Sequence, residues 1–143
     1  MTARDLMTLN PACCTTDTPL QDVAKAMVDY DCGEIPIVED KDTLTPVGVV
    51  TDRDIVCRTV AQGKNPILLT AADVMTSPAI TVRDNDSDEV VKHKMEMHQI
   101  RRLPVVDRNG CVCGLVALAD IARGESRKAA GEVIREVSAP SRA

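Results

Sequence analysis

Apolar positions along this chain keep two rhythms. Leu20, Val23, Ala24, Met27 and Val28 recur at the spacing of a single helix face. Ahead of them, Thr18-Pro19-Leu20-Gln21 reads as a capping box, with Thr18 at the N-cap, Pro19 pre-set at the first helical position and Gln21 reaching back. Gly33 is placed to close this helix in the left-handed conformation. Shorter apolar runs at Ala12 to Thr16, Ile35 to Val38 and Val47 to Val50 read as strands. Pro36 lacks a ladder donor, which puts its strand at a sheet edge or makes Pro36 a strand start. A second helix starts at Thr51 or Asp52 and carries Ile55, Val56 and Val60 inward.

The same order then returns. Ala79 to Val82 is a strand, Asp86 with Glu89 offers a helix start, and Val90, Val91 and Met95 supply an apolar face. Met95 and Met97 cannot both face inward on a straight helix, so one belongs at an interface. Leu103 to Val106 and Val112 to Val116 are strands, with Asn109-Gly110 between them as a two-residue hairpin signal. A last helix begins near Leu118 and continues, or restarts after Gly124, through Ala129 to Val137, and Ser138 to Ala143 reads as a frayed tail.

This is an internal repeat. Ala3-Arg4-Asp5-Leu6-Met7-Thr8 recurs as Ala71-Ala72-Asp73-Val74-Met75-Thr76, Ile35-Pro36-Ile37-Val38 as Leu103-Pro104-Val105-Val106, and Gly48-Val49-Val50-Thr51 with Asp54-Ile55 as Gly114-Leu115-Val116-Ala117 with Asp120-Ile121. Self-similarity at a fixed period means stacked copies of one supersecondary unit, neither copy burying enough apolar surface alone. The division expected is residues 1–66 and 67–143, with Gln62 to Pro66 as linker and a cleft between the copies as the place for function.

Composition narrows the chemistry. With 143 residues, 44% of them hydrophobic and 27% charged, the chain suits one compact domain. There is no Phe or Trp, and Tyr30 is the sole aromatic residue, so a bound ring would be gripped by aliphatic walls. A formal net charge of -5 argues against nucleic acid as partner. No run approaches the roughly 18 apolar residues of a membrane span and no signal peptide opens the chain, which makes cytoplasm the default location and mostly reduced thiols the expectation for the six cysteines. No Cys-x-x-Cys pair is present, and His93 and His98 do not share a helix face, so neither metal nor redox cofactor is expected. A nucleophile–base set or paired acid and base is equally hard to find, which points away from an enzyme.

Together the motifs resemble a tandem CBS domain pair, or Bateman module, of the small stand-alone bacterial type similar to hypoxic-response proteins. The resemblance covers almost the whole chain. It rests on Asp-Leu/Val-Met-Thr, the hydrophobic-Pro-hydrophobic-Val strand, and Gly48-Val49-Val50-Thr51-Asp52-Arg53-Asp54-Ile55 taken in combination. It implies an α/β (α+β) fold of two pseudo-symmetric β-α-β-β-α repeats packed through their sheets. It also implies a regulatory module that senses an adenosine nucleotide of the AMP, ADP or ATP class without catalysis, and a homodimer made through helices, with some further protein partner open.

Carried over by position, the resemblance makes Asp54 and Asp120 ribose ligands. Thr51, with Arg53 beside it, and Arg102 become phosphate contacts, Pro104 follows on the strand, and Cys14 and Thr81 take equivalent places on the first strands. A carboxylate can accept from two vicinal hydroxyls, a guanidinium offers phosphate two parallel donors, and a helix start at Thr51-Asp52-Arg53 favours an anion. Two departures break the symmetry. Ala117 stands where the first repeat has Thr51, and Glu34 stands where the second has Arg102. The expectation is one better site at Thr51 and Asp54, with Arg101 or Arg102 reaching its phosphate. Thr51-x-x-Asp54 also fits a plain helix cap. Two rival readings stay open: a stress or structural protein that has lost nucleotide binding, and a cysteine-based redox sensor.

Overall fold

A computed structural model describes residues 1–124 and 134–138 of the chain. The elements run α1 (Ala3–Leu6), β1 (Thr8–Leu9), β2 (Cys14–Thr15), α2 (Leu20–Asp29), β3 (Glu34–Val38), β4 (Pro46–Thr51), α3 (Asp52–Arg58), α4 (Ala71–Val74), β5 (Val82–Arg83), α5 (Asp88–His98), β6 (Arg102–Val106), β7 (Val112–Ala117) and α6 (Leu118–Gly124). This is a mixed α/β fold with two sheets, ordered β2-β3-β4 and β1-β7-β6-β5. Residues 134–137 are helical, whereas the expected stretch from 125 to 133 and the tail from 139 to 143 lie outside the described residues.

The repeats in sequence and the compact units in space divide the chain differently. One unit joins Met1–Asn10 to Thr81–Asn109 and Cys113–Ala143; the other holds Pro11–Ile80 with Gly110–Val112. Each lead-in segment therefore serves the other repeat. In the first of these units, Ala3 N–H donates to the Asp86 carbonyl at 2.8 Å, and β1 adds antiparallel to β7 with Thr8 opposite Leu115. In the second unit, Ala71 N–H donates to the Thr18 carbonyl at 2.9 Å, and Thr76 bridges Val49. Ala3 and Ala71 are both fully buried, which leaves room at these positions for little more than a methyl group.

The cores are aliphatic, as the composition requires. Leu20, Val23, Met27, Ile35, Ile37, Val50 and Val74 form one; Val82, Val91, Met95, Leu103, Val105, Val116 and Ile121 are buried in the other unit. Met95 is buried and Met97 is exposed, the partition that helical geometry demands.

Several local expectations are corrected. Pro36 lies in the middle strand of its sheet, not at an edge. Val49, opposite Pro36, turns both its N–H and its carbonyl to Thr76, and β2 pairs only with Ile37 and Val38. No ladder bond needs a donor at Pro36, so the proline costs none. The capping box at Thr18 and Gln21 does not form. Pro19 is the N-cap of α2, and the Thr18 hydroxyl instead accepts from Thr15 N–H at 3.0 Å, a local bond that outcompetes the helix end. Ser87 rather than Asp86 caps α5, because Asp86 is already accepting from Arg83 N–H at 2.8 Å. Asp31, with φ of 50°, makes the left-handed turn after α2 that Gly33 was expected to make. The β6–β7 connection spans residues 107–111 instead of two, with Gly110 at φ of 80° and Asn109 N–H donating to the Asp107 carboxylate at 2.9 Å. Val56 and Val60 are exposed, not inward, and no residue of α3 is fully buried.

Candidate functional site

In the first repeat, β4 runs straight into α3, and Thr51 is the hinge. Its hydroxyl accepts from Asp54 N–H at 3.0 Å, and its own N–H donates to Asp54 Oδ2 at 3.0 Å. This is a complete capping box, so the plain structural reading of Thr51-x-x-Asp54 is realised. The other oxygen, Asp54 Oδ1, lies 3.7 Å from Arg58 Nη2, and Arg58 Nη1 donates to the Val74 carbonyl at 2.7 Å. Both Asp54 oxygens are oriented, with lone pairs beyond those the cap uses. Arg53 is exposed beside them. Glu34 faces Thr51 across the β3–β4 ladder and is buried, 5% exposed.

In the second repeat, Ala117 occupies the corresponding hinge. Its N–H still donates to Asp120 Oδ2 at 2.8 Å, but it has no hydroxyl to accept from the helix. Asp120 Oδ1 takes a hydrogen bond from Arg123. Leu118 N–H donates to the Arg101 carbonyl at 2.8 Å, as Asp52 N–H donates to the Gly33 carbonyl at 3.0 Å. These matched bonds make Arg101 the counterpart of Gly33, and Arg102 the counterpart of Glu34. Arg101, Arg102, Ala117, Leu118, Ala119, Ala122 and Ile134 line a hollow of about 420 Å³ within this unit. That volume falls in the range of about 300–1,000 Å³ usual for small-molecule sites. Its lining is mostly apolar, from Ala117, Leu118, Ala119, Ala122 and Ile134, with Arg101 and Arg102 contributing to it. Sequence comparison of the repeats flagged Arg101, Arg102 and Ala117 but not Leu118, Ala119, Ala122 and Ile134, whose apolar spacing reads equally well as core.

Pro104 is buried within β6 and does not line the hollow. The strand register corrects one equivalence. Cys14 pairs with Ile37 and Val82 pairs with Val105, so Cys14 matches Val82, and Thr81 matches Cys13. Cys14 packs in the aliphatic core. Thr81 sits just before β5, its carbonyl accepting from Lys94 Nζ at 2.6 Å. Lys94 escaped sequence reasoning because one lysine beside Met95 on an amphipathic helix reads as a solvated charge.

Cys13, Cys14, Cys57 and Cys113 are free thiols. Burial, then the neighbouring Cys14, pushes the Cys13 thiol up to about 11. Burial also raises Cys14 and Cys113. Among the described residues, no three His, Cys, Asp or Glu side chains gather where they could hold a metal ion. No helix among those residues is long and apolar enough to cross a membrane.

Known proteins share the sequence pattern and the fold. Hypoxic response protein 1 of Mycobacterium tuberculosis is 35% identical over 139 residues, covering 97% of this chain and 95% of that protein. An uncharacterized protein of Methanopyrus kandleri is 41% identical over 123 residues, 85% of this chain, though the match spans only 59% of that relative's length. Among solved structures, Hypoxic Response Protein I with two coordinated zinc ions superimposes with a TM-score of 0.78 at 36% identity, over 88% of this chain and 100% of that one. The CBS domain pair of protein MJ0100, in complex with 5′-methylthioadenosine and S-adenosyl-L-methionine, gives 0.76 at 28% identity, covering 86% and 98%. CBSX2 in complex with AMP gives 0.72 at 27% identity, covering 86% and 94%. The model of the CBS domain matches residues 3–58 and again 71–126, so this chain belongs to the CBS domain family and carries the domain twice.

Proposed function

We propose that this chain is a regulatory module that binds an adenosine ligand and performs no chemistry on it. The observation that carries the reading is the hollow beside α6, an apolar lining of Ala117, Leu118 and Ala122 to which Arg101 and Arg102 also belong. Aliphatic walls suit adenine in a chain almost without aromatic residues, and guanidinium groups suit a phosphate with bidentate geometry. Asp120, and Asp54 in the other repeat, are the carboxylates for a ribose diol, their lone pairs beyond the cap bonds accepting its hydroxyls. CBS pairs of similar fold are solved with AMP, and with 5′-methylthioadenosine and S-adenosyl-L-methionine, which supports an adenosine ligand here.

AMP, ADP and ATP are the forms that two arginines favour. Titration calorimetry of the full chain with each is expected to give saturable binding. Absence of heat with all three at millimolar concentration, together with no binding of 5′-methylthioadenosine, overturns the reading. Asp120→Asn keeps the cap acceptor yet loses the charge, and is expected to weaken binding about tenfold without lowering the melting temperature.

Self-association belongs to the same reading. Val56 on α3 and Val60 in the turn just after it are 58% and 65% exposed. A dimer through this surface, dissociated by Val56→Ser with Val60→Ser, is the expected outcome of light scattering. A monomeric native chain sinks the dimer and leaves ligand binding untouched.

A further inference from the structure

We infer that the helical turn at residues 134–137 is a ligand-linked clasp: it supplies part of the wall of the hollow beside α6, and occupancy of the hollow holds it in place. The inference rests on the proposed adenosine-binding function. It goes beyond that function by naming a site residue, Ile134, outside the CBS repeats, and by giving the bound ligand a structural readout. The second CBS match ends at residue 126, so Ile134 is no part of the repeated motif. It nevertheless lines the hollow with Arg101, Arg102, Ala117, Leu118 and Ala122.

Residues 134–137 are helical, and Ser138 N–H donates to the Ile134 carbonyl at 3.0 Å, closing the turn. Ile134 and Val137 have the i, i+3 spacing that puts two side chains on one helix face. Val137 is 5% exposed and so seats the turn; Ile134 is 44% exposed and reaches the hollow. With Ile134 in place the hollow keeps a volume of about 420 Å³, so this side chain bounds the space and does not fill it. A single helical turn does not hold itself together in water, because fixing its backbone costs more than one hydrogen bond returns. One buried valine and one half-exposed isoleucine are its apolar anchorage among the described residues. A group that packs on Ile134 only when the turn is seated therefore shifts the turn towards the seated state. The faces of an adenine ring are such a group, in a chain with no Phe or Trp to grip them. By reciprocity, seating the turn tightens the ligand by the same factor as the ligand favours the seated turn.

Calorimetry of the full chain with AMP and with 5′-methylthioadenosine, joined to hydrogen exchange at residues 134–138, tests the clasp. Saturating AMP is expected to slow exchange of the Ser138 amide several-fold. Ile134→Ser is expected to weaken both compounds by one factor, about fivefold, because the lost contact is apolar and indifferent to phosphate. Val137→Ser unseats the turn and is expected to weaken both about tenfold, with exchange in β6 and β7 kept at the native rate, which shows the variant is folded. Native affinity in Ile134→Ser, or Ser138 exchange unmoved by AMP, overturns the clasp while the adenosine reading stands. Tighter binding by Val137→Ser makes the turn a plug and overturns the clasp in the same way. If neither compound binds the native chain at millimolar concentration, both readings fall together.

Discussion

Two glycines carry the same motif position and are held by different neighbours. A Cβ on Gly48 would meet the backbone carbonyl of Thr76 at 2.7 Å and Met75 Sδ at 3.1 Å; on Gly114 it would run into the Met7 side chain. A methionine can swing aside, while a carbonyl in a bridge cannot. Gly48→Ala is therefore expected to cost about 2–3 kcal/mol, and Gly114→Ala about 1 kcal/mol, in denaturant titrations. Thiols make a second test at this scale. Cys13 is half-buried and its thiol rises to about 11, so little nucleophilic thiolate forms near neutrality, whereas Cys57 is exposed. Mass spectrometry after brief alkylation of native protein at pH 8 is expected to find Cys57 modified well before Cys13 or Cys14. Because folding raises the Cys13 value, the folded state holds that proton more tightly. Its stability then declines as pH climbs from the ordinary thiol value of 9.0 towards 11.

Between elements, the strand-to-helix hinges differ by a single hydroxyl. Thr51→Ala removes the acceptor for Asp54 N–H and is expected to destabilise by about 1 kcal/mol. Ala117→Thr supplies the acceptor that α6 lacks and is expected to raise the melting temperature by a few degrees. The hinges also show what a chain can reveal before it folds. Strand and helix identities were legible because Leu20, Val23 and Met27, or Leu103 and Val105, keep one period over their whole length. The caps were not, because Thr18, Asp86 and Gly33 each had a rival local bond or neighbour that only the fold could choose. Likewise the exposure of Val56 follows from where α3 lies, which its own seven residues do not determine.

For the whole molecule, the duplication identified the family and the broken symmetry, since Glu34, Arg102, Thr51 and Ala117 are plain in the aligned repeats. The 420 Å³ hollow was not legible, because Leu118, Ala122 and Ile134 are brought to it by packing rather than by spacing. Nor was the exchange of lead-in segments, which sequence periodicity assigns to their own repeats. That exchange predicts a polar response to truncation. Deleting residues 1–10 takes β1 and the buried Ala3 and Leu6 from the unit containing β7, and is expected to cost about 3 kcal/mol or more there. Hydrogen exchange read segment by segment should show protection lost in β6, β7 and α5 while β3 and β4 keep theirs; uniform loss would contradict the division.

The crossed lead-ins also impose an order on biosynthesis. Met1–Asn10 is synthesised well ahead of its partner Leu115, so this segment waits for β7 while the residues between them are made. The segment Pro11–Ile80 meets most of its partners early and can begin to fold on the nascent chain. Two polypeptides cut at the inter-repeat linker would each carry the other's missing piece. Such halves should remain unstructured alone and recover the fold only when mixed.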